Sequence, residues 1–455
     1  MSIVFNVFQI LLLLIGFFLY FLGIGIAPFL LLKKEMNINK NDNLLQLLAL
    51  FTITGILINY SLGLIFKSLS TTIRVSSAIS ISGLLIFAFY SLKSKQLRIP
   101  SKNTLLKIFC AILLLFLFFS PSVAEPLIDW DARSIWFFHA KMIYVAGTID
   151  QSAGWNHPSI LFSHPDYPKL VPFIASQINY ALGYWNEYLP KVSVLFMLTP
   201  MVLLLFSISK LSVSFIFLIS LIPFSFYNTL WNGYMDGLLA FYLSISLLFI
   251  GKFFSSSRLI DLVTGFMCLA IAVNIKNEGA LGTLAVITSL LIVVALTTPL
   301  KIVKEEIVRK WKYFAFSIVG LFFPFLLWNY NKSLWNLSND LGIGSSQSLK
   351  NIVIRLSDGS YKFILNRTLS EISGFLIILI IVLISLNIWK IRIGKEELLS
   401  LMVSGIITLG FIVIYLLTPH DLAWHINTSI NRTLLSTIGA IIIACYFMIK
   451  KIENR

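Results

Sequence analysis

The run IVFNVFQILLLLIGFFLYFLGIGIAPFLLL, Ile3 to Leu32, contains no charged side chain. A bilayer core about 30 Å thick is crossed by about 20 apolar residues in a helix, so this run is long enough to span it. It is too long for the core of a signal peptide, and it lacks a basic leader and a small-residue cleavage site. It predicts a retained transmembrane helix. Further runs of spanning length follow at 44–66, 75–92, 104–121, 190–209, 211–229, 234–251, 259–274, 279–298, 313–330, 373–389, 398–418 and 433–449. The pattern predicts an all-α polytopic membrane protein of about 13 transmembrane helices.

Composition agrees with that pattern. The chain has 455 residues, of which 58% are hydrophobic and 12% charged, far outside the range of a soluble domain. Lys and Arg exceed Asp and Glu by 15. With the C-terminus placed inside, 22 of the 35 basic and 8 of the 20 acidic residues fall on the cytoplasmic side. The basic excess is then a topology signal of the positive-inside kind, and no nucleic-acid partner is needed to explain it. This orientation predicts an outside N-terminus and outer connections at 67–74, 122–189, 230–233, 275–278, 331–372 and 419–432. All five histidines, His139, His157, His164, His420 and His425, fall in or beside those connections. The inner connection around Lys301 to Lys310 reads as an amphipathic segment on an anionic leaflet. Cys110, Cys268 and Cys445 lie in apolar runs and are assigned no function.

The polar chemistry begins at Asp129-Trp130-Asp131-Ala132-Arg133-Ser134-Ile135-Trp136, continuing through His139 and Lys141. A short carboxylate at Asp129 or Asp131 is suited to cap a helix by accepting from its first N–H groups, and Gly147 offers a stop. Such a helix carries Trp136, Ala140, Ile143 and Tyr144 on one side and Arg133 and Lys141 toward another, as an interfacial helix would. The connection then runs through His164-Pro165-Asp166-Tyr167-Pro168-Lys169, where the prolines predict a rigid extended path exposing His164, Asp166 and Tyr167.

Three later clusters sit at helix ends: Trp231 to Gly237 with Asp236, Asn274 to Gly279 with Lys276 and Glu278, and Thr418 to Arg432. Lys276 and Glu278 read either as an exposed ion pair or as charges held beside a buried polar site. His425, Ser429 and Arg432 recur near helical spacing and predict one shared face. The Gly- and Ser-rich start of the 331–372 connection fits a mobile lid as well as an idle surface loop. Sequons stand at Asn331, Asn336, Asn366 and Asn427.

In this order the motifs resemble the GT-C superfamily of integral-membrane glycosyltransferases, in the branch of the protein O-mannosyltransferases and the aminoarabinose transferase of lipid A. Trp130-Asp131-Ala132-Arg133 stands where that family has its first-loop acidic motif, and His164-Pro165-Asp166-Tyr167-Pro168 where it has a Pro-rich one. Asn277-Glu278-Gly279 and the segment from His425 to Arg432 resemble further motifs. The likeness covers about residues 104–435. It departs in two places: Asp131 is followed by Ala132 rather than Glu, leaving Asp129 or a distant loop to supply a second carboxylate, and four helices precede the large loop, three more than the one the family has there. The division implied is a three-helix membrane extension, 1–103, and a GT-C-like catalytic module, 104–455, that includes outer loop 122–189.

The resemblance implies a polyprenyl-phosphate sugar as donor and a glycan, lipid or protein as acceptor, at the extracytoplasmic face of the plasma (inner) membrane. Asp131, with Asp129 as understudy, is the implied general base in an inverting transfer. Arg432, Lys276, His425 and Arg133 are the candidate phosphate ligands, and His164, Asp166, Tyr167, Asp236 and Glu278 the candidate substrate contacts. A divalent metal is compatible with the family, but no ligand spacing in the sequence defines its site. The alternatives are a ligase or polymerase of the O-antigen type, which relies on Arg and His rather than an Asp base, and a lipid or sugar transporter or flippase. The transporter reading is weakened because the charges stand near span ends rather than at mid-membrane.

Overall fold

The computed structural model describes residues 3–32, 44–93, 101–151, 154–210, 212–339 and 345–455. Among these the chain is helical, with helices α1 Ile3–Leu32, α2 Leu44–Phe66, α3 Leu69–Lys93, α4 Lys102–Ala124, α5 Phe137–Ala146, α6 Leu170–Leu182, α7 Val192–Ser207, α8 Val213–Trp231 and α9 Asp236–Ser256. There follow α10 Leu259–Ala272, α11 Glu278–Thr297, α12 Leu300–Arg309, α13 Trp311–Leu334, α14 Ser346–Ser357, α15 Ser360–Ile388, α16 Lys395–Leu417, α17 Leu422–Thr433 and α18 Leu435–Glu453. Twelve helices among the described residues are long and apolar enough to cross a membrane. The thirteenth expected span, 259–274, is the 14-residue α10, about 21 Å long at 1.5 Å per residue. It nevertheless returns the chain to the start of α9, since Lys276 just beyond it pairs with Asp236.

Two compact units divide the chain. The first comprises Met1–Ser209, Leu230–Tyr234 and Ile318–Trp335; the second comprises Lys210–Thr229, Met235–Ser317 and Asn336–Arg455.

In the first unit α1 packs on α2 and α3, α2 and α4 pack on α7, and α5 packs on α6. Small residues allow the closest approach. A Cβ on Gly25 would stand 1.8 Å from the Phe51 carbonyl oxygen, and one on Gly55 1.8 Å from that of Phe21. In lipid, where apolar side chains gain little by leaving solvent, such backbone contact and interhelical hydrogen bonds hold helices together. The bonds are present: Tyr20 Oη donates to Asn59 Oδ1 (2.8 Å), and Asn59 Nδ2 donates to Gln177 Oε1 (2.8 Å).

The 122–189 connection is helical, as its sequence pattern suggests, but it differs in detail. Asp131 lies inside the helical stretch and makes no capping hydrogen bond; the backbone winds through a π turn over Ala132–Trp136 instead. Gly147 does end α5, at φ 67°. Trp136, Ala140 and Ile143 are buried while Arg133 and Lys141 are exposed, the division expected of that helix. The proline-rich part is not an exposed extended strap. Pro158–Ser163 forms a 3-10 turn, His164 turns at φ 50°, and the fully buried Leu170, Val171, Phe173 and Ile174 open α6. Asp166 is buried and His164 and Tyr167 half-buried, because α6 needs its apolar face covered and draws the preceding loop inward.

In the second unit α9 packs on α10, α16 and α18, α11 on α16, and α15 on α18. The 331–372 segment is mostly not a loop. Helix α13 runs to Leu334, Ser345 Oγ caps α14 by accepting from Ser348 N (3.2 Å), and Gly359 at φ 82° separates α14 from α15. The Gly-rich residues 340–344 lie outside the described residues. Asn331 is buried and donates to the Leu327 carbonyl (2.9 Å), so its sequon is closed to modification in this fold.

Candidate functional site

The second unit gathers polar residues from three connections. Asp236 opens α9, Lys276 ends the turn after α10, Glu278 opens α11 and Arg432 lies in the last turn of α17. Lys276 Nζ stands 2.9 Å from Asp236 Oδ1 and 2.9 Å from Glu278 Oε1, and Arg432 Nη1 stands 3.5 Å from Asp236 Oδ2. Lys276 and Asp236 are buried, and Arg432 is about one-fifth exposed. Both carboxylates sit in the first turn of a helix, where the dipole favours them. The two carboxylates offset the two cations and hold Lys276 and Arg432 in place. Glu278 Oε2 is a buried acceptor with no hydrogen-bond partner among the described residues.

Helix α17 extends this cluster. His425, Ser429 and Arg432 share a half-buried face, as their spacing predicts. His425 Nδ1 lies 2.9 Å from Thr418 Oγ1, its ring meets Tyr415 edge-on at 5.2 Å, and Tyr415 Oη lies 2.9 Å from Ser429 Oγ. His420 stands beside His425, ring centroids 5.6 Å apart.

The first unit holds the other expected residues. Asp129 and Asp131 are half-buried and Arg133 exposed at the entry to the π turn. Tyr167 is sandwiched between Trp136 (5.3 Å, 10°) and His164 (5.3 Å, 16°), which fixes the Pro-rich segment against the π turn. Gly233, at φ 95°, lets the 230–234 connection lie on the same turn: a Cβ there would meet Ala132 Cβ at 2.7 Å. Asp166 pairs with Lys332 (3.4 Å), and Asp150 bonds both Lys67 Nζ (3.0 Å) and Trp335 Nε1 (2.7 Å). The ends of α2 and α13 are thereby tied to the 122–189 segment, with an isolated antiparallel bridge between Ser68 and Thr148.

Sequence reasoning missed the centre of this unit. Lys169 is completely buried, with Nζ donating to the Pro165 carbonyl (2.7 Å) and 3.1 Å from His139 Nδ1, over the rings of Trp155 (4.4 Å) and Trp328 (5.5 Å). Burial pushes the Lys169 ammonium well below its usual range, with Asp166 opposing and Lys332 reinforcing the change. Burial also lowers His139 well below the ordinary imidazole value, and Lys169 and His164 add to it. The only available signal was a lysine directly before an apolar run, which reads as a helix entry rather than a buried charge.

Among the described residues no group of three or more His, Cys, Asp or Glu is arranged to hold a metal. The three cysteines are free thiols. No family model matches the chain, and no curated protein or solved structure matches it. The fold itself defines the class: a polytopic, all-helical membrane protein with charged residues gathered at the ends of its spans.

Proposed function

We propose that the chain is an integral-membrane glycosyltransferase that takes its sugar from a polyprenyl-phosphate donor. The observation that carries this reading is the buried Lys276–Asp236–Arg432 cluster with Glu278 at the ends of α9, α11 and α17. A lipid-borne phosphate lies at the level where spans end, and its charge grows as the glycosidic C–O bond breaks. Fixed cations there lower the barrier without reorganising. Lys276 and Arg432 supply them, and the unpartnered Glu278 Oε2 supplies an acceptor for a sugar hydroxyl. The acceptor's proton passes to a carboxylate acting as general base, the role that the family resemblance implies for Asp131. Direct displacement inverts the anomeric centre.

A second reading rests on α17, where His425 and Arg432 share one face: a ligase of the O-antigen type, working through His and Arg. One set of experiments separates the two. Protein in liposomes is given a panel of polyprenyl-phosphate sugars, and release of free lipid phosphate is followed. Transfer that disappears in Asp131→Asn, with folding intact by size exclusion, supports the first reading. Transfer that survives Asp131→Asn but not His425→Ala or Arg432→Ala supports the second. No release from any donor removes both.

A further inference from the structure

Helix α14 is amphipathic in the reverse sense for a water-exposed helix. Its inward stripe is Ser348, Asn351, Ile352 and Arg355, spaced i, i+3, i+4, i+7 and largely polar. Its outward row is apolar: Leu349 is 59% exposed, Val353 68% and Leu356 52%. In water this arrangement would waste the apolar side of the helix.

The inward stripe has a clear task. The last carbonyls of any helix lack intrahelical partners. Arg355 Nη1 donates to the carbonyls of Tyr415 (2.7 Å) and Leu416 (2.9 Å), and Nη2 to that of His420 (3.2 Å). Asn351 Nδ2 donates to those of Leu417 (3.3 Å) and Thr418 (3.0 Å). Two side chains of α14 thus satisfy the end of α16 and the turn that follows it.

From this geometry we infer that α14 is a lipid-docking strap: its Leu349–Val353–Leu356 row lies in the headgroup boundary of the bilayer while its polar stripe clamps the end of α16. Three observations select lipid as the occupant. The row is continuous with a membrane span, because only Asp358 and Gly359 separate α14 from α15, whose Leu365, Leu369 and Ile377 are also outward-facing. The helix carries the exposed Lys350 and no acid, which suits an anionic headgroup layer. Trp424, 58% exposed and beside His420, marks the same end of the unit with the residue type that favours the interface. The strap does not depend on the transferase reading. It also bears on His425, which contacts Thr418 inside the clamped turn.

The test uses the full chain in vesicles of phosphatidylcholine and phosphatidylglycerol. A small fluorophore is placed on Leu349→Cys, Val353→Cys or Leu356→Cys, with Asp358→Cys as the water-exposed comparison and the unsubstituted protein as the labelling background. Iodide should quench the three row positions several-fold less than position 358, and lipids with a nitroxide near the headgroup should quench them more than lipids with a deep nitroxide. Iodide quenching equal to that at 358 overturns the inference. So does protection from iodide without nitroxide quenching, which would mean that protein, such as a second copy, covers the row. A cysteine-free check uses a lipid with a photoreactive headgroup on the unsubstituted protein: cross-links should map to 346–357, and their absence there overturns the inference as well.

Discussion

Lys169 Nζ lies 3.1 Å from His139 Nδ1, with both side chains completely buried. The tautomer follows from the next bond. Ser163 Oγ spends its proton on the Ile160 carbonyl (2.6 Å), so it accepts from His139 Nε2 (2.9 Å), leaving Nδ1 to accept from Lys169. Protonating His139 would set two donors against each other.

This fixes the sign of a pH effect. The folded-state value of His139 is depressed below 6.5, so as pH falls through 6.5 the unfolded chain binds a proton that the folded chain refuses. The stability from the neutral imidazole is whole above 6.5 and is lost progressively below it, down to the depressed folded value. Thermal unfolding in detergent should show a midpoint falling with acidification over that window, and His139→Gln, which can still donate and accept, should flatten the slope.

Breaking the Asp236–Lys276 pair leaves a buried charge one partner short, with Glu278 still on Lys276 or Arg432 still on Asp236. Asp236→Asn and Lys276→Met should each cost about 1.5–3 kcal/mol. The double variant should cost less than the two together, with a coupling of about 1–3 kcal/mol in a denaturation cycle. Additive losses would mean that the two groups do not share an ion pair.

The crossing of α1 and α2 offers a steric test. Gly25→Ala or Gly55→Ala puts a methyl group 1.8 Å from a backbone oxygen, and backbone cannot swing aside. Each should lower stability by about 1–3 kcal/mol or more. Gly16→Ala, with nothing within 4 Å, should leave the melting temperature unchanged or raise it slightly.

Arg355 is the chief clamp on the end of α16. Arg355→Ala gives up three charge-assisted hydrogen bonds and should cost about 2 kcal/mol. Arg355→Lys should recover only part of it, because an ammonium cannot present the planar fork. Protease cleavage within 415–422, measured against unsubstituted protein, should rise in the order Lys, then Ala.

By itself the sequence determined that this chain belongs in a membrane, the approximate positions of twelve apolar helices long enough to span it, and which short connections carry charge. Those features are local: a helix must satisfy its own backbone in lipid, so length and hydropathy suffice to find it. Spacing within one segment was equally legible, as on α17, where His425, Ser429 and Arg432 share a face. Tertiary structure decided the partners. Asp236 meets Lys276 across 40 residues and Arg432 across 196, and Asp166 meets Lys332 across 166. It also turned Asp166 inward, buried Lys169 and reversed the faces of α14, because a side chain's surroundings depend on which distant helix covers it, and a hydropathy pattern does not record whether that cover is protein, lipid or water.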